Sequence, residues 1–230
     1  MQNLYEMPEL EDGTGTTQML NSHQGFALVK LTPELMDELD RIDVAARENP
    51  DNFKSHADQL VGTIDKELSV DLNADFANFV INFASQLDAR IGHVAAARAN
   101  MIGHNLVMRP TFDDNWVNYQ KKHDFNPPHR HTGAYSYVVW HTIPYDIDDE
   151  LEAVPEGKES RNAAFAFMFN NGADLSEVYF RVSKEHQGYM AIFPSNLTHF
   201  VTPFYTSDEY RVSFSGNILF TPVPVDDASS

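Results

Sequence analysis

Three histidines and one arginine carry the residue types from which a metal centre with an anion-binding end can be built. His129 and His131 stand in Asn126-Pro-Pro-His-Arg-His131, just before a β-prone stretch. On an extended segment, side chains two residues apart point to the same side. The pair can therefore chelate one ion, with Pro127 and Pro128 stiffening the approach. His199, in Phe193-Pro-Ser-Asn-Leu-Thr-His-Phe200, would complete a facial set of three ligands that leaves other coordination positions open. Arg211 follows in an otherwise apolar and aromatic strand, Tyr210-Arg-Val-Ser-Phe-Ser215. A buried guanidinium needs a partner, and a bidentate carboxylate suits it best. Ser213, two residues on, faces the same side and offers the same anion a second hydrogen bond. Each feature has a plainer reading beside it. A histidine in a β protein is usually a surface or core residue, and Arg211 has Asp208 and Glu209 nearby as structural partners.

Composition narrows the chemistry further. The chain has 230 residues, the size of one domain or of one domain with an elaborated flank. It contains no cysteine, which excludes a disulfide scaffold, a thiolate zinc site, an iron–sulfur cluster and a Cys nucleophile. Any metal must then be held by imidazole or oxygen ligands. Lys and Arg number 16 against 34 Asp and Glu, a formal net charge of −18, which argues against general binding to a phosphate backbone. Against that background Arg211 stands out as a local cation. No stretch approaches the roughly 18 uninterrupted apolar residues of a membrane helix. The segment from Met1 to Asp12 is acidic and lacks the basic start and apolar run of a signal peptide. The expectation is a cytoplasmic protein.

The elements that must position these residues differ between the two halves. Thr32-Pro33 reads as an N-cap followed by proline at the first helical position. Leu35, Leu39, Ile42 and Ala46 then share a face, and Asn49-Pro50 ends the helix. A second helix starts at Asn73 or Asp75, with Phe76, Phe79, Val80, Phe83, Leu87 and Ile91 in one stripe that must cover a sheet. Ser55 to Leu68 reads as a shorter helix or a turn. Residues 111–220 hold 21 of the 27 aromatic residues and read as strands: 135–140, 163–169, 178–182, 188–193 and 210–215. Turn signals such as Asn170-Asn-Gly172 and Pro194-Ser-Asn196 separate them. Many short strands with even punctuation suggest a sandwich, jelly roll or small barrel. Asp146 to Ser160 reads as an acidic surface loop.

In ordered combination, Trp116-Val-Asn-Tyr-Gln-Lys-Lys122, Phe125-Asn-Pro-Pro-His-Arg-His-Thr-Gly133, Ser136, Ile192-Phe-Pro-Ser195, His199 and Arg211-Val-Ser213 with Asn217 resemble the 2-oxoglutarate/Fe(II)-dependent dioxygenases. Members from tailed phages and marine microbes look most similar. Leu60-Val-Gly-Thr-Ile64 with Glu67 is similar to a helical segment of those proteins. The resemblance implies a mainly β fold: a double-stranded β-helix (jelly roll) with N-terminal helices packed on one sheet. The resemblance covers about residues 55–220, and the expected organisation is a single domain with an extension over 1–30, a helical flank over 31–105, a catalytic core over 106–222 and a tail over 223–230. The resemblance implies Fe(II) held by His129 and His199 with an acid two residues after the first, the position of His131 and here expected as the third metal ligand, 2-oxoglutarate clamped by Arg211 and Ser213 with Tyr119 as a further donor, and O2 as co-reactant. The expected activity is oxidative decarboxylation of 2-oxoglutarate coupled to oxidation of a substrate C–H bond, as in a hydroxylase.

One position departs from that family's pattern. His131 stands where the family has an acid. Three arrangements follow: a three-histidine site, a site with His131 as first ligand and Gly133 at a vacant position as in halogenase-like variants, or a triad completed by a remote carboxylate such as Asp124. Two other classes stand beside the oxygenase: a non-catalytic jelly-roll or cupin-like binding protein or phage structural component, and a zinc-dependent hydrolase. The primary substrate (protein side chain, metabolite or nucleobase) and the oligomeric state are not legible in the sequence.

Overall fold

The apolar runs of the C-terminal half have to be buried on both faces, and the helices and a second sheet supply the two covers. The computed structural model describes residues 4–56, 62–94, 97, 99, 104–153 and 161–225. The strands are β1 (Gly15–Met19), β2 (Gly25–Lys30), β3 (Lys66–Ser69), β4 (Leu106–Gln120), β5 (Asn126–His129), β6 (Tyr135–Thr142), β7 (Ala164–Asn170), β8 (Leu175–Arg181), β9 (Tyr189–Pro194), β10 (Thr198–Val201) and β11 (Arg211–Pro224). The helices are α1 (Pro33–Glu48), α2 (Ala74–Ile91) and α3 (Ile147–Glu152). Seven strands form a large sheet in the order β1-β2-β9-β6-β11-β4-β3, and four form a small one in the order β5-β10-β7-β8. The pairings within both sheets are antiparallel.

Strand alternation divides the large sheet into two faces. Val29, Val117, Tyr119, Tyr135, Tyr137, Val139, Met190, Ile192, Val212 and Phe214 point one way and pack with α1 and α2. Phe26, Leu28, Val138, Trp140, Ala191 and Phe193 point the other way and meet Phe165, Phe167, Val178 and Phe180 of the small sheet. This is the jelly-roll arrangement with helices on one sheet that the resemblance implies.

Both long helices form where their periodicity places them. Leu35, Leu39, Ile42 and Ala46 of α1 are buried, as are Phe76, Val80, Leu87 and Ile91 of α2. The Asn73 side chain caps α2 by accepting from the Phe76 N–H at 2.9 Å, and Gly92 ends it in the left-handed region at φ 65°.

Four segments differ from the sequence reading. Residues 1–30 contribute β1 and β2, which pair with each other and through β2 with β9. Within Ser55–Leu68, where the sequence suggests a short helix or turn, Lys66 to Leu68 belong to an edge strand paired with β4. Leu60 and Val61 of the segment similar to a family helix lie outside the described residues, and Glu67 is in the strand. The acidic stretch 146–160, expected as loop, contains α3, capped by the Asp146 side chain. Glu150 of α3 is fully buried. Residues 154–160, and 226–230 of the expected tail, lie outside the described residues.

Glu67 is a costly group in this packing. It stands opposite Asn118 on the inner face of the sheet, only 6% exposed, and its Oε1 has no hydrogen-bond partner among the described residues. Burial pushes its carboxyl up to about 7 from the ordinary value of 4.5. The folded protein therefore binds more protons than the unfolded chain between those two values, and stability falls as pH rises across that window. The loss attributable to this one group reaches at most about 3 kcal/mol above pH 7. Glu67→Gln is expected to be more stable than the parent at pH 8 and to lose that advantage toward pH 5. Urea denaturation of both proteins across this range checks it, and parallel stability curves would contradict it.

Candidate metal centre and anion-binding end

His129 and His199 are direct register partners on the adjacent strands β5 and β10. Antiparallel partners project side by side, and the two rings lie 4.2 Å apart between centroids. His131 follows just past β5, where its backbone N–H donates to the Ser195 carbonyl at 2.9 Å and ties it to the turn after β9. Its ring lies 4.9 Å from that of His129 and 5.0 Å from that of His199. One ligand nitrogen from each of the three rings lies within 4.8 Å of the others.

The tautomers follow from the backbone. His129 Nδ1 is 2.7 Å from the Pro127 carbonyl, and His199 Nδ1 is 3.0 Å from the Leu197 carbonyl. A carbonyl only accepts, so both Nδ1 atoms carry the proton and both Nε2 atoms keep a free lone pair. Burial holds the His129 imidazolium below its ordinary range and His199 well below it. Burial, then the charges of His129 and His56, lower His131 to about 4. Three neutral imidazoles converge, the state that metal coordination requires.

Apolar and aromatic walls surround the cluster. The ring of Phe193 lies 4.7 Å from His199, that of Phe165 5.8 Å from His199, and that of Trp116 5.4 Å from His131. The buried His56 stacks on Trp116 at 4.8 Å and 9°. A second cavity, lined by Arg211, adjoins this one between the sheets, and Gln120, Val138, Phe165, Val201 and Ser213 line both.

Arg211 is 5% exposed. Its Nε donates to Gln120 Oε1 at 3.0 Å, Nη2 to the Thr202 carbonyl at 3.1 Å and Nη1 to the Tyr145 hydroxyl at 3.5 Å. Its guanidinium carbon lies 5.1 Å from the centre of the Phe204 ring. No carboxylate among the described residues pairs with it. Asp208, one of its candidate structural partners, pairs with Lys122 on the surface. Ser213 faces the same cavity and accepts from Asn118 Nδ2 at 3.2 Å.

The structure thus brings His129, His131 and His199 together, and places Arg211 and Ser213 on the adjoining cavity. It does not bring Tyr119 there. Tyr119 points into the helical layer, where its hydroxyl donates to Asp43 of α1 at 2.8 Å. Its neighbours Asn118 and Gln120 face the cavity instead. The reason is the two-residue alternation of β4, which puts 116, 118 and 120 on one face and 117 and 119 on the other. Asp124 is occupied at the surface, accepting from the N–H groups of Asp65 and Lys121. Gly133 lies next to the backbone carbonyl of Ile218, with φ at 108°. Of the alternating phenylalanines, Phe165 lines the cavity, Phe167 is fully buried core and Phe169 packs at its margin. Sequence reasoning missed Gln120, Tyr145 and Phe204 around Arg211. The alternation of Trp116, Asn118 and Gln120 carried a signal for Gln120; nothing local carried one for the other two.

A model of the family described as "Putative 2OG-Fe(II) oxygenase" matches residues 114–217, which include the three histidines, Arg211 and Ser213. Residues 114–217 are a 2OG-Fe(II) oxygenase domain. No curated protein matches the chain. Among solved structures, the chain is similar to a prolyl hydroxylase from Trichoplax adhaerens, determined in complex with a hypoxia inducible factor oxygen degradation domain peptide fragment. The identity is 11%, the coverage 89% of this chain and 87% of that one, and the TM-score 0.51. That likeness supports the fold. A prolyl-4-hydroxylase from Pseudomonas putida aligns at 13% identity over 86% of this chain and 92% of its own, with a TM-score of 0.46.

The oxygenase family uses Fe(II), 2-oxoglutarate and O2. The residues present fit the first two. Three neutral imidazoles bring one ligand nitrogen each within 4.8 Å of the others, and a buried cation without a carboxylate partner among the described residues lines the adjoining cavity. At neutral pH both His129 and His199 are expected as Nδ1–H tautomers. Long-range nitrogen–proton correlation spectra of the metal-free protein check this, and an Nε2–H pattern for either ring would refute it.

Proposed function

We propose that the protein is a hydroxylase in which His129, His131 and His199 hold Fe(II) and Arg211 with Ser213 receives the far carboxylate of 2-oxoglutarate. The observation that carries this reading is the buried guanidinium of Arg211. It lines a cavity that adjoins the three-histidine cluster through shared lining residues and has no acidic partner among the described residues. Bound iron would supply oxidation of the cosubstrate and of a substrate C–H bond.

The chain's own residues orient and enclose. The carbonyls of Pro127 and Leu197 fix the His129 and His199 rings through Nδ1, which would leave Nε2 of each to hold a metal ion. Gln120, Tyr145 and the Thr202 carbonyl hold the guanidinium plane, leaving it to meet a carboxylate end-on. Phe165, Phe193, Val138 and Val201 exclude water between the two ends, which strengthens each polar contact inside. The primary substrate we propose is a peptidyl side chain. Support comes from the shared fold with a prolyl hydroxylase solved with a peptide, and from the strongly acidic composition, which disfavours long nucleic acid.

A three-imidazole set also suits zinc. The anion-binding end favours the oxygenase reading over a hydrolase, because hydrolysis at zinc gives the buried Arg211 no anionic partner. Anaerobic titration with Fe(II) and 2-oxoglutarate is expected to develop the weak visible charge-transfer band, and turnover in air to release succinate. Arg211→Ala is expected to weaken cosubstrate binding by more than about tenfold in Kd, the loss of a charge-assisted bidentate pair. An unchanged Kd would remove the clamp assignment, and zinc retention with hydrolysis independent of 2-oxoglutarate would replace the whole reading.

A further inference from the structure

Glu150 is an anomaly in the acidic segment. Its neighbours Asp148, Asp149 and Glu152 lie on a short surface helix, whereas Glu150 is 0% exposed. A buried carboxylate is tolerated only when its oxygens are saturated. Here four neutral donor groups do so. The Tyr205 N–H reaches both oxygens at 2.9 and 3.0 Å, and the Thr206 N–H donates at 2.7 Å and its hydroxyl at 2.6 Å. Asn162 Nδ2 donates to Oε2 at 3.1 Å and also to the Glu150 backbone carbonyl. No Lys or Arg takes part in these bonds.

The carboxylate therefore joins three separate pieces of chain. One is α3 with Tyr145 just before it. The second is the Asn162-Ala163 turn into β7, where Ala163 is held at φ 54°. The third is the loop from Thr202 to Thr206 between β10 and β11. Each piece supplies part of the Arg211 environment. Tyr145 gives its hydroxyl and packs its ring against that of Phe204 with 5.1 Å between centroids, Ala163 lines the cavity, and the loop gives the Thr202 carbonyl and the Phe204 ring. Further backbone bonds carry the linkage on: Ala163 N–H to the Pro203 carbonyl at 2.8 Å and Thr202 N–H to the Ala164 carbonyl at 2.9 Å.

We propose that Glu150 is a positioning residue for the cosubstrate: by tying these three pieces together it fixes the guanidinium of Arg211 and so sets the affinity for 2-oxoglutarate. The inference rests on the proposed role of Arg211 in binding that carboxylate. Glu150 itself does not line the cavity and touches no reacting group. Its effect is confined to the Arg211 end, because none of its partners reaches the three histidines.

Glu150→Gln keeps the shape but turns an NH2 group toward donors, so at least one bond becomes a donor–donor clash. The expected result is cosubstrate binding weakened about tenfold, in Kd and in KM alike, with Fe(II) affinity measured without cosubstrate, and kcat at saturating cosubstrate, within about twofold of the parent. Thr206→Val, which deletes one donor and keeps the fold if Glu150→Gln does not, is expected to give a smaller rise in the same quantity alone. Glu150→Asp restores the charge on a shorter arm and is expected to fall between parent and Glu150→Gln. A lowered melting temperature with an unchanged cosubstrate Kd, or an equal loss of kcat and of the Fe(II) affinity measured without cosubstrate, would overturn the inference and leave Glu150 as an ordinary structural clamp. Arg211→Ala measured alongside separates the two levels. If it too leaves the Kd unchanged, the clamp reading has failed; if it raises the Kd and the Glu150 and Thr206 variants do not, only the positioning role has failed.

Discussion

Burial of the large sheet on both faces is the constraint from which the rest of this structure follows. One face meets α1 and α2, the other meets the small sheet, so that few residues of β6, β9 and the first half of β11 reach water. Desolvation then decides every polar group between the sheets. The imidazoles stay neutral. Ser136, Ser195 and Asn217 bond to one another at 2.8 to 2.9 Å. Arg211 has carbonyl, amide and hydroxyl partners and no carboxylate among the described residues. A site built this way lies among apolar walls of low dielectric, the condition under which a single ionic contact has large consequences.

The same constraint explains what could and could not be read from the sequence. The stripes of α1 and α2 were legible because a helix covering a sheet must repeat its apolar residues at the helical period. The five strands named in the C-terminal half were legible because two-sided burial makes them apolar and aromatic throughout. The His pair was legible as two residues on one extended side, and Arg211 as a cation with no local reason to be there. β1 and β2 were not: Gly25-Phe-Ala-Leu-Val-Lys30 is an apolar run too short to distinguish from a stray segment without its partner β9. Tyr119 was misjudged because its neighbours in the motif face the cavity and it does not. Parity along β4 contained the answer, but only once one residue of the strand had been fixed to a face. Glu150 was hidden inside a run of like charges, where the expected state of an acid is solvated; its donors come from residues 162, 205 and 206, which no local pattern connects to it.

His131 raises a question of charge that the rest of the site helps answer. With an acid at that position the ligand set carries one negative charge, and a bound dication is half compensated by the protein. With His131 the ligand set is neutral, and its three rings lie among Phe165, Phe193 and Trp116. A dication held there has to be balanced by whatever anion shares the cavity. On the proposed reading that anion is 2-oxoglutarate, whose two carboxylates would answer the metal at one end and Arg211 at the other. Two cationic sites joined by one dianionic ligand are each favoured by the other's occupation only through that ligand, and the coupling is reciprocal. The protein would then hold its metal more tightly once the cosubstrate is bound, to a greater degree than a site with its own carboxylate. In such a design the firmness of the Arg211 end matters for the metal end as well, since a guanidinium free to swing would leave the dianion, and through it the neutral histidine set, less well matched.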